Sequence, residues 1–242
     1  MQILLLLRPE KPLNIPFNYN YQLQSALYAL LHEVGASDFW HDRGFRSYDI
    51  SYKGFCFGKL KGEYQTDMES KKMCFTNDIS LEVRSVSFDF IDALQRALEQ
   101  HPYIQLFDTR LDVIGASLMN RHIQNEELIL KAETPIVIHQ TLEDGHTYYF
   151  GPDDDDYFTR ICNNARKKYE TIRNEEAGQI SLSPCSALKK VVTRYKGIYL
   201  TGYTGELLLS APIKMSEFLY NTGLGEKNSQ GFGFVQVKGN KQ

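Results

Sequence analysis

The sequence has 242 residues, 42% hydrophobic and 24% charged, the balance of a folded globular protein of one large or two ordinary domains and not of a disordered chain. A net charge of −3 excludes a uniformly basic nucleic-acid-binding protein. That sum hides unequal halves: residues 1–156 carry 14 Lys and Arg against 24 Asp and Glu, and residues 157–242 carry 13 against 6, so a basic face on the second half could hold phosphates by counterion release.

MQILLLL, at the start, reads as a first strand and not as an export signal. No apolar run reaches the ~20 residues of a membrane helix, so a cytoplasmic location without membrane contact is expected. A first helix is predicted over roughly Tyr21 to Val34, with Leu23, Leu27, Leu30, Leu31 and Val34 as its buried stripe. Tyr21, Gln24, Tyr28 and His32 share its polar face. Ser37 to Arg43 can form a short helical turn capped by Ser37. SYDISYKGFCFGKL then alternates as a hairpin with Lys53-Gly54 near the bend, and KMCFTNDISLEVRSV continues as strand. FDFIDALQRALEQH is the second helix, and residues 103–119 return as extended chain. That order is β-α-β-β-α-β, the ferredoxin-like arrangement.

The polar stretch 119–127 places a domain boundary, giving units 1–122 and 123–242. The second unit repeats the order less plainly. LILKAETPIVIHQ offers a strand with a break at Pro135, and Asp153 to Asp156 precede the helix YFTRICNNARKKYETI, where carboxylates favour the helix dipole. Residues 186–211 read as a long hairpin, Pro212 to Tyr220 as the last helix and 232–237 as the last strand. The fold class is α+β, two tandem ferredoxin-like domains. Cys56, Cys74, Cys162 and Cys185 lack ligand spacing and read as reduced thiols. Consecutive aspartates do not easily converge on one ion. No metal and no cofactor are called for.

Between the last helix and the last strand lies NTGLGEKNSQGFGFVQV. Gly223, Gly225, Gly231 and Gly233 make two G-x-G pairs, where positive φ and close backbone approach are possible. The order helix, loop, strand excludes a dinucleotide fingerprint, and Gly225-Glu226 excludes a phosphate loop of the G-K-[ST] kind. This pattern resembles the C-terminal signature of the CRISPR repeat-RNA processing endoribonucleases. RPE at 8–10, PFNYNYQLQSALYALL at 16–31 and a histidine at 41 are similar to that family too.

The resemblance implies a nuclease that cuts CRISPR repeat transcripts to guide RNAs without metal, by 2′-OH attack, leaving 2′,3′-cyclic phosphate and 5′-OH ends. Such chemistry needs a proton acceptor, a proton donor and a group that stabilises charge on phosphorus, and histidine suits the first two roles. The resemblance selects His41, with Tyr28 as the helix tyrosine and Arg46 near the usual lysine. Arginine is a poor proton donor, so Lys53 is an alternative, and His32 is a rival one turn beyond Tyr28. Lys189, Lys190, Arg194 and Lys196, interleaved with Tyr195, Tyr199 and Tyr203, offer phosphate partners and stacking faces for RNA. Lys227, Asn228 and Ser229 add donors in the glycine loop, where RNA backbone is expected to approach the glycines. The partner implied is repeat RNA, with the product guide RNA possible within an interference complex, and the chain a monomer or homodimer. A repeat-RNA-binding protein that does not cut, and a structural subunit of an RNA-guided complex, are the alternatives.

Overall fold

The computed structural model describes residues 1–47 and 50–239. The first sheet is built on β1 (Gln2–Pro9). Its leucine run is sorted by the two-residue period of a strand: Ile3, Leu5 and Leu7 are buried while Leu6 and Arg8 are exposed. Helix α1 (Asn20–Glu33) follows, then β2 (Phe55–Phe57), β3 (Ile79–Ser85), α2 (Phe88–Gln100) and β4 (Thr109–Met119). The strand order is β2-β3-β1-β4, with Tyr103–Leu106 added beyond β4. Every pairing in this sheet is antiparallel. Leu23, Leu27, Leu30 and Leu31 of α1 and Phe90, Ile91, Leu94 and Ala97 of α2 close one core with β1 and β3.

The second half repeats the plan with β5 (Glu127–Ile136), α3 (Tyr157–Arg173), β6 (Ser181–Pro184), β7 (Lys189–Tyr195), β8 (Ile198–Ser210), α4 (Ile213–Thr222) and β9 (Val235–Gly239). The order is β6-β8-β5-β9, with β7 folded back on β8. The architecture is a tandem of ferredoxin-like folds. Its second core runs from Ile123 to Val235. Among the described residues no helix is long and apolar enough to cross a membrane.

Arg84 locks the halves together. Although β3 carries it, its side chain is buried in the second half, between the rings of Tyr220 and Phe234 at 3.6 and 4.0 Å. The guanidinium donates to the carbonyls of Tyr220 at 3.0 Å and Val235 at 2.6 Å and pairs with Glu82 at 2.7 Å. A buried charge persists only with such partners. The Met1 ammonium adds a bond to Asn221 Oδ1 at 2.9 Å.

Four local expectations are corrected. The hairpin is Phe45–Ser47 with Ile50–Tyr52, not one bent at Lys53-Gly54; Gly54, at φ +69°, instead turns the chain into β2. Residues 72–86 form two strands in different sheets, because Lys72–Phe75 pairs with Leu13–Pro16 and Tyr64–Asp67. No Ser37 cap forms, since its Oγ contacts Asp38 Oδ1 at 3.4 Å. The last strand begins at Val235, because Phe232 to Phe234 belong to the glycine loop. Pro135 does mark a register shift, between Ala132 and Ile136. Of the four aspartates, Asp154 accepts from Tyr148 and the Gly151 N–H, and Asp156 from Arg160.

Candidate functional site

The turn after α1 is one short π-helix, Phe39–Arg43, closed by the Gly44 N–H on the Phe39 carbonyl. Gly44 is obligatory there: φ is +63°, and a Cβ would stand 2.6 Å from the Tyr52 carbonyl oxygen. Trp40 anchors the turn in the core against Phe90 and Phe39. The next residue, His41, is thereby held outward, with 59% of its side chain exposed. Its Nδ1 meets Asp42 Oδ1 at 2.6 Å, which leaves Nε2 for a substrate.

Tyr28 meets His41 edge-on, with ring centroids 4.9 Å apart, and its hydroxyl donates to the Trp40 carbonyl at 3.2 Å. Burial pushes the Tyr28 phenol up to about 12, against hydrogen bonds from Ser229 and Gln24. Lys53 reaches the Asp42 carbonyl at 3.2 Å. Burial lowers its pKa, Asp42 opposes that shift and Arg46 adds to it. Arg46 is exposed and donates from Nε to the Arg43 carbonyl at 3.4 Å, so both cations bond the histidine turn, and Lys53 is the less exposed of the two and bonds the residue next to His41. His32 is exposed on α1.

Beside this turn opens a cleft of ≈500 Å³, walled by the Ile50–Phe55 segment, by Asn164 and Lys168 of α3, by His139, and by residues 225–230 of the glycine loop. All four glycines take positive φ, between +67° and +83°. They are buried, and their missing side chains face protein. A Cβ on Gly231 would meet Phe57 at 2.6 Å, one on Gly225 the Val137 carbonyl at 2.7 Å, one on Gly223 the Gly233 carbonyl at 2.8 Å, and one on Gly233 the Leu224 carbonyl at 1.8 Å. The room that these glycines leave is filled by the protein itself, by backbone carbonyls at Gly223, Gly225 and Gly233 and by the Phe57 and Asn20 side chains at Gly231. Asn228 is also committed, donating to the Leu224 and Phe232 carbonyls at 3.0 and 3.1 Å. Lys227 and Ser229 remain partly accessible.

Lys168 ties the loop from behind. It donates to Gly223 O and Asn228 Oδ1, both at 2.7 Å, and burial lowers its pKa to about 7. In the sequence it stands in a basic run with Arg166 and Lys167, and its i, i+3 relation to the buried Ala165 is the local sign that sets it apart. The polar face of α1 is likewise covered. Gln24 Nε2 donates to the Ser229 carbonyl at 2.8 Å, Asn20 Nδ2 to the Gly231 carbonyl at 3.2 Å, and Tyr195 to Gln24. Tyr195 is thus buried between the halves and offers no stacking face, whereas Tyr199 is 69% exposed. Lys189, Lys190, Arg194 and Lys196 are all exposed, but strand alternation turns Lys189 and Lys190 to opposite faces of β7. Lys196 lies over the Tyr21 ring at 4.7 Å.

A family model described as CRISPR associated protein Cas6, C-terminal, matches residues 118–237. This chain belongs to the Cas6 family. A protein of Methanocaldococcus jannaschii named CRISPR-associated endoribonuclease Cas6 1 is 26% identical, over 97% of this chain and 92% of its own length. A solved structure described as CRISPR associated protein Cas6 gives a TM-score of 0.82 at 24% identity, over 99% of both chains. Another, described as an RAMP protein binding different RNA substrates, gives 0.85 at 20% identity, over 99% of this chain and all of its own. At such identities the solved structures speak for the shared Cas6 fold.

Proposed function

We propose that this chain is a metal-independent endoribonuclease that cuts CRISPR repeat transcripts to guide RNAs. The observation that carries the reading is the His41 arrangement, an exposed imidazole steadied at Nδ1 by Asp42 and edge-on by Tyr28. The Methanocaldococcus relative's name supports the endoribonuclease class.

His41 Nε2 takes the proton of the 2′-OH, whose oxygen attacks the adjacent phosphorus as the bond to O5′ breaks. Lys53 gives the leaving O5′ a proton, so the products are a 2′,3′-cyclic phosphate and a 5′-OH. Tyr28, kept neutral by burial, orients the imidazole. Arg46, Lys227 and Ser229 contact flanking phosphates, and the exposed side chains of β7 extend the RNA track on unit 123–242, while unit 1–122 carries the chemistry.

Single-turnover cleavage of repeat RNA in excess EDTA tests this reading. His41→Ala is expected to slow it about 10²–10⁴-fold while repeat-RNA affinity changes little. His32→Ala is the near-silent control. Loss of cutting in EDTA with rescue by magnesium would overturn the mechanism, and tight binding without cutting would make the chain a repeat-RNA-binding protein only.

A further inference from the structure

Most of the ≈500 Å³ cleft suits a polyanion, since Lys53, Lys227 and loop backbone line it. Glu226 does not. Its carboxylate lines the same cleft, only 25% exposed, bonded to Nδ1 of His139, itself 28% exposed. A half-buried carboxylate repels phosphate most strongly where water is scarce, so beside Glu226 the cleft favours a ligand that presents hydrogen-bond donors.

The side chain is also placed by construction. The Glu226 N–H donates to the Val137 carbonyl at 2.9 Å, and Gly225, at φ +68°, admits no side chain there. His139 is directly opposite Tyr149 in the hairpin His139–Thr141/Thr147–Tyr149, and their rings stack at 5.8 Å and 27°. Tyr52 lines the same cleft, and burial raises its phenol, with the Glu226 charge adding to that shift.

We propose that Glu226, steadied by His139, is the base-reading acceptor of a nucleotide pocket in this cleft, and that the pocket selects guanine. This rests on the RNA-processing reading above. Guanine alone among the four bases sets two donors, N1–H and N2–H, side by side on its Watson–Crick edge, which matches a carboxylate. Adenine and cytosine offer one amino group beside an acceptor nitrogen, and the N3–H of uracil lies between two carbonyls. Tyr52, which lines the cleft together with Glu226, supplies an aromatic side chain for an unstacked base.

The test is selection from a randomised single-stranded RNA pool by the full-length protein, with sequencing of the bound fraction. The wild type is expected to enrich a motif with one strongly guanine position. Glu226→Gln keeps the length and an oxygen for His139, and should relax that position about 10–100-fold with the rest of the motif intact. Glu226→Asp, which keeps the charge and shortens the reach, should weaken the same position. An unchanged guanine bias in Glu226→Gln would overturn the proposal, as would an equal loss at every position, which would make the pair a loop brace. If the wild type enriches no RNA at all, the RNA-processing reading itself fails, and the pocket with it.

Discussion

Residues 34–54, between α1 and β2, and residues 223–234, between α4 and β9, are connections grafted on two sheets of identical strand order. The first is anchored by Trp40, with Phe39 and Phe45 packed on the same core, and presents His41, Asp42 and Arg46 outward. The second is closed from inside: its four glycines are buried, Asn228 bonds two of its carbonyls, and Lys168 fastens it from α3. The first connection holds its polar side chains away from the core, whereas the second spends Asn228 and most of its backbone on its own closure and leaves Glu226, Lys227 and Ser229 partly accessible. Since the fold is the same in both halves, function here follows from what each connection does with its polar groups.

The comparison has meaning only while the halves stay docked, and Arg84 is where docking breaks first. Arg84→Ala leaves Glu82 half-paired and two carbonyls without their donor. The expected loss is about 3–5 kcal/mol, a large part of the ~5–15 kcal/mol of a typical domain. Chemical unfolding should show it, and cleavage should fall with it. A variant as stable as the wild type would mean that the halves dock without this side chain.

Lys168 sharpens the comparison through pH. Its folded pKa of about 7 is below the ordinary lysine value of 10.5, so between those limits the unfolded chain holds the proton more tightly. Stability is therefore expected to rise with pH through that window, by up to about 1.4 kcal/mol per unit. Urea midpoints at pH 7 and 9 should diverge for the wild type by more than for Lys168→Met. Equal slopes would show that the acceptors around Nζ, the Gly223 and Gly225 carbonyls and Asn228 Oδ1, offset its burial.

Much of this frame was legible in the chain. The β-α-β-β-α-β order, the stripe Leu23, Leu27, Leu30 and Leu31, and positive φ at the glycines follow from local period and sterics. What faces the glycines did not. Gln24 and Tyr28 lie on the face of α1 that periodicity reads as polar, and the loop that Gln24 and the neighbouring Asn20 bond begins about two hundred residues later. Lys168 was hidden the same way, since its acceptors are the backbone of that distant loop. A local pattern can say which face is polar but not which distant carbonyls satisfy it.

Gly231→Val follows from that lesson. A branched side chain there meets Phe57 and Asn20 within 2.7 Å at a φ of +83°. The expected result is a loss of about 1–3 kcal/mol, seen as an earlier thermal transition. A variant with unchanged stability and reduced RNA affinity would instead return the glycine to the RNA.

The smallest effect separates Tyr28 from His41. Because burial holds the phenol near 12, Tyr28 keeps its proton throughout the range in which a histidine titrates, and it can orient but not exchange. Tyr28→Phe keeps the ring against His41 and removes the bond to the Trp40 carbonyl. One such bond contributes about 0.5–1.5 kcal/mol, so cleavage should slow by roughly an order of magnitude or less, far below the effect of His41→Ala. The shape of the pH–rate profile should stay as it is, because the titrating group remains. If Tyr28→Phe instead removed one limb of that profile, the phenol would be moving a proton, and the division between an orienting Tyr28 and a reacting His41 would have to be reversed.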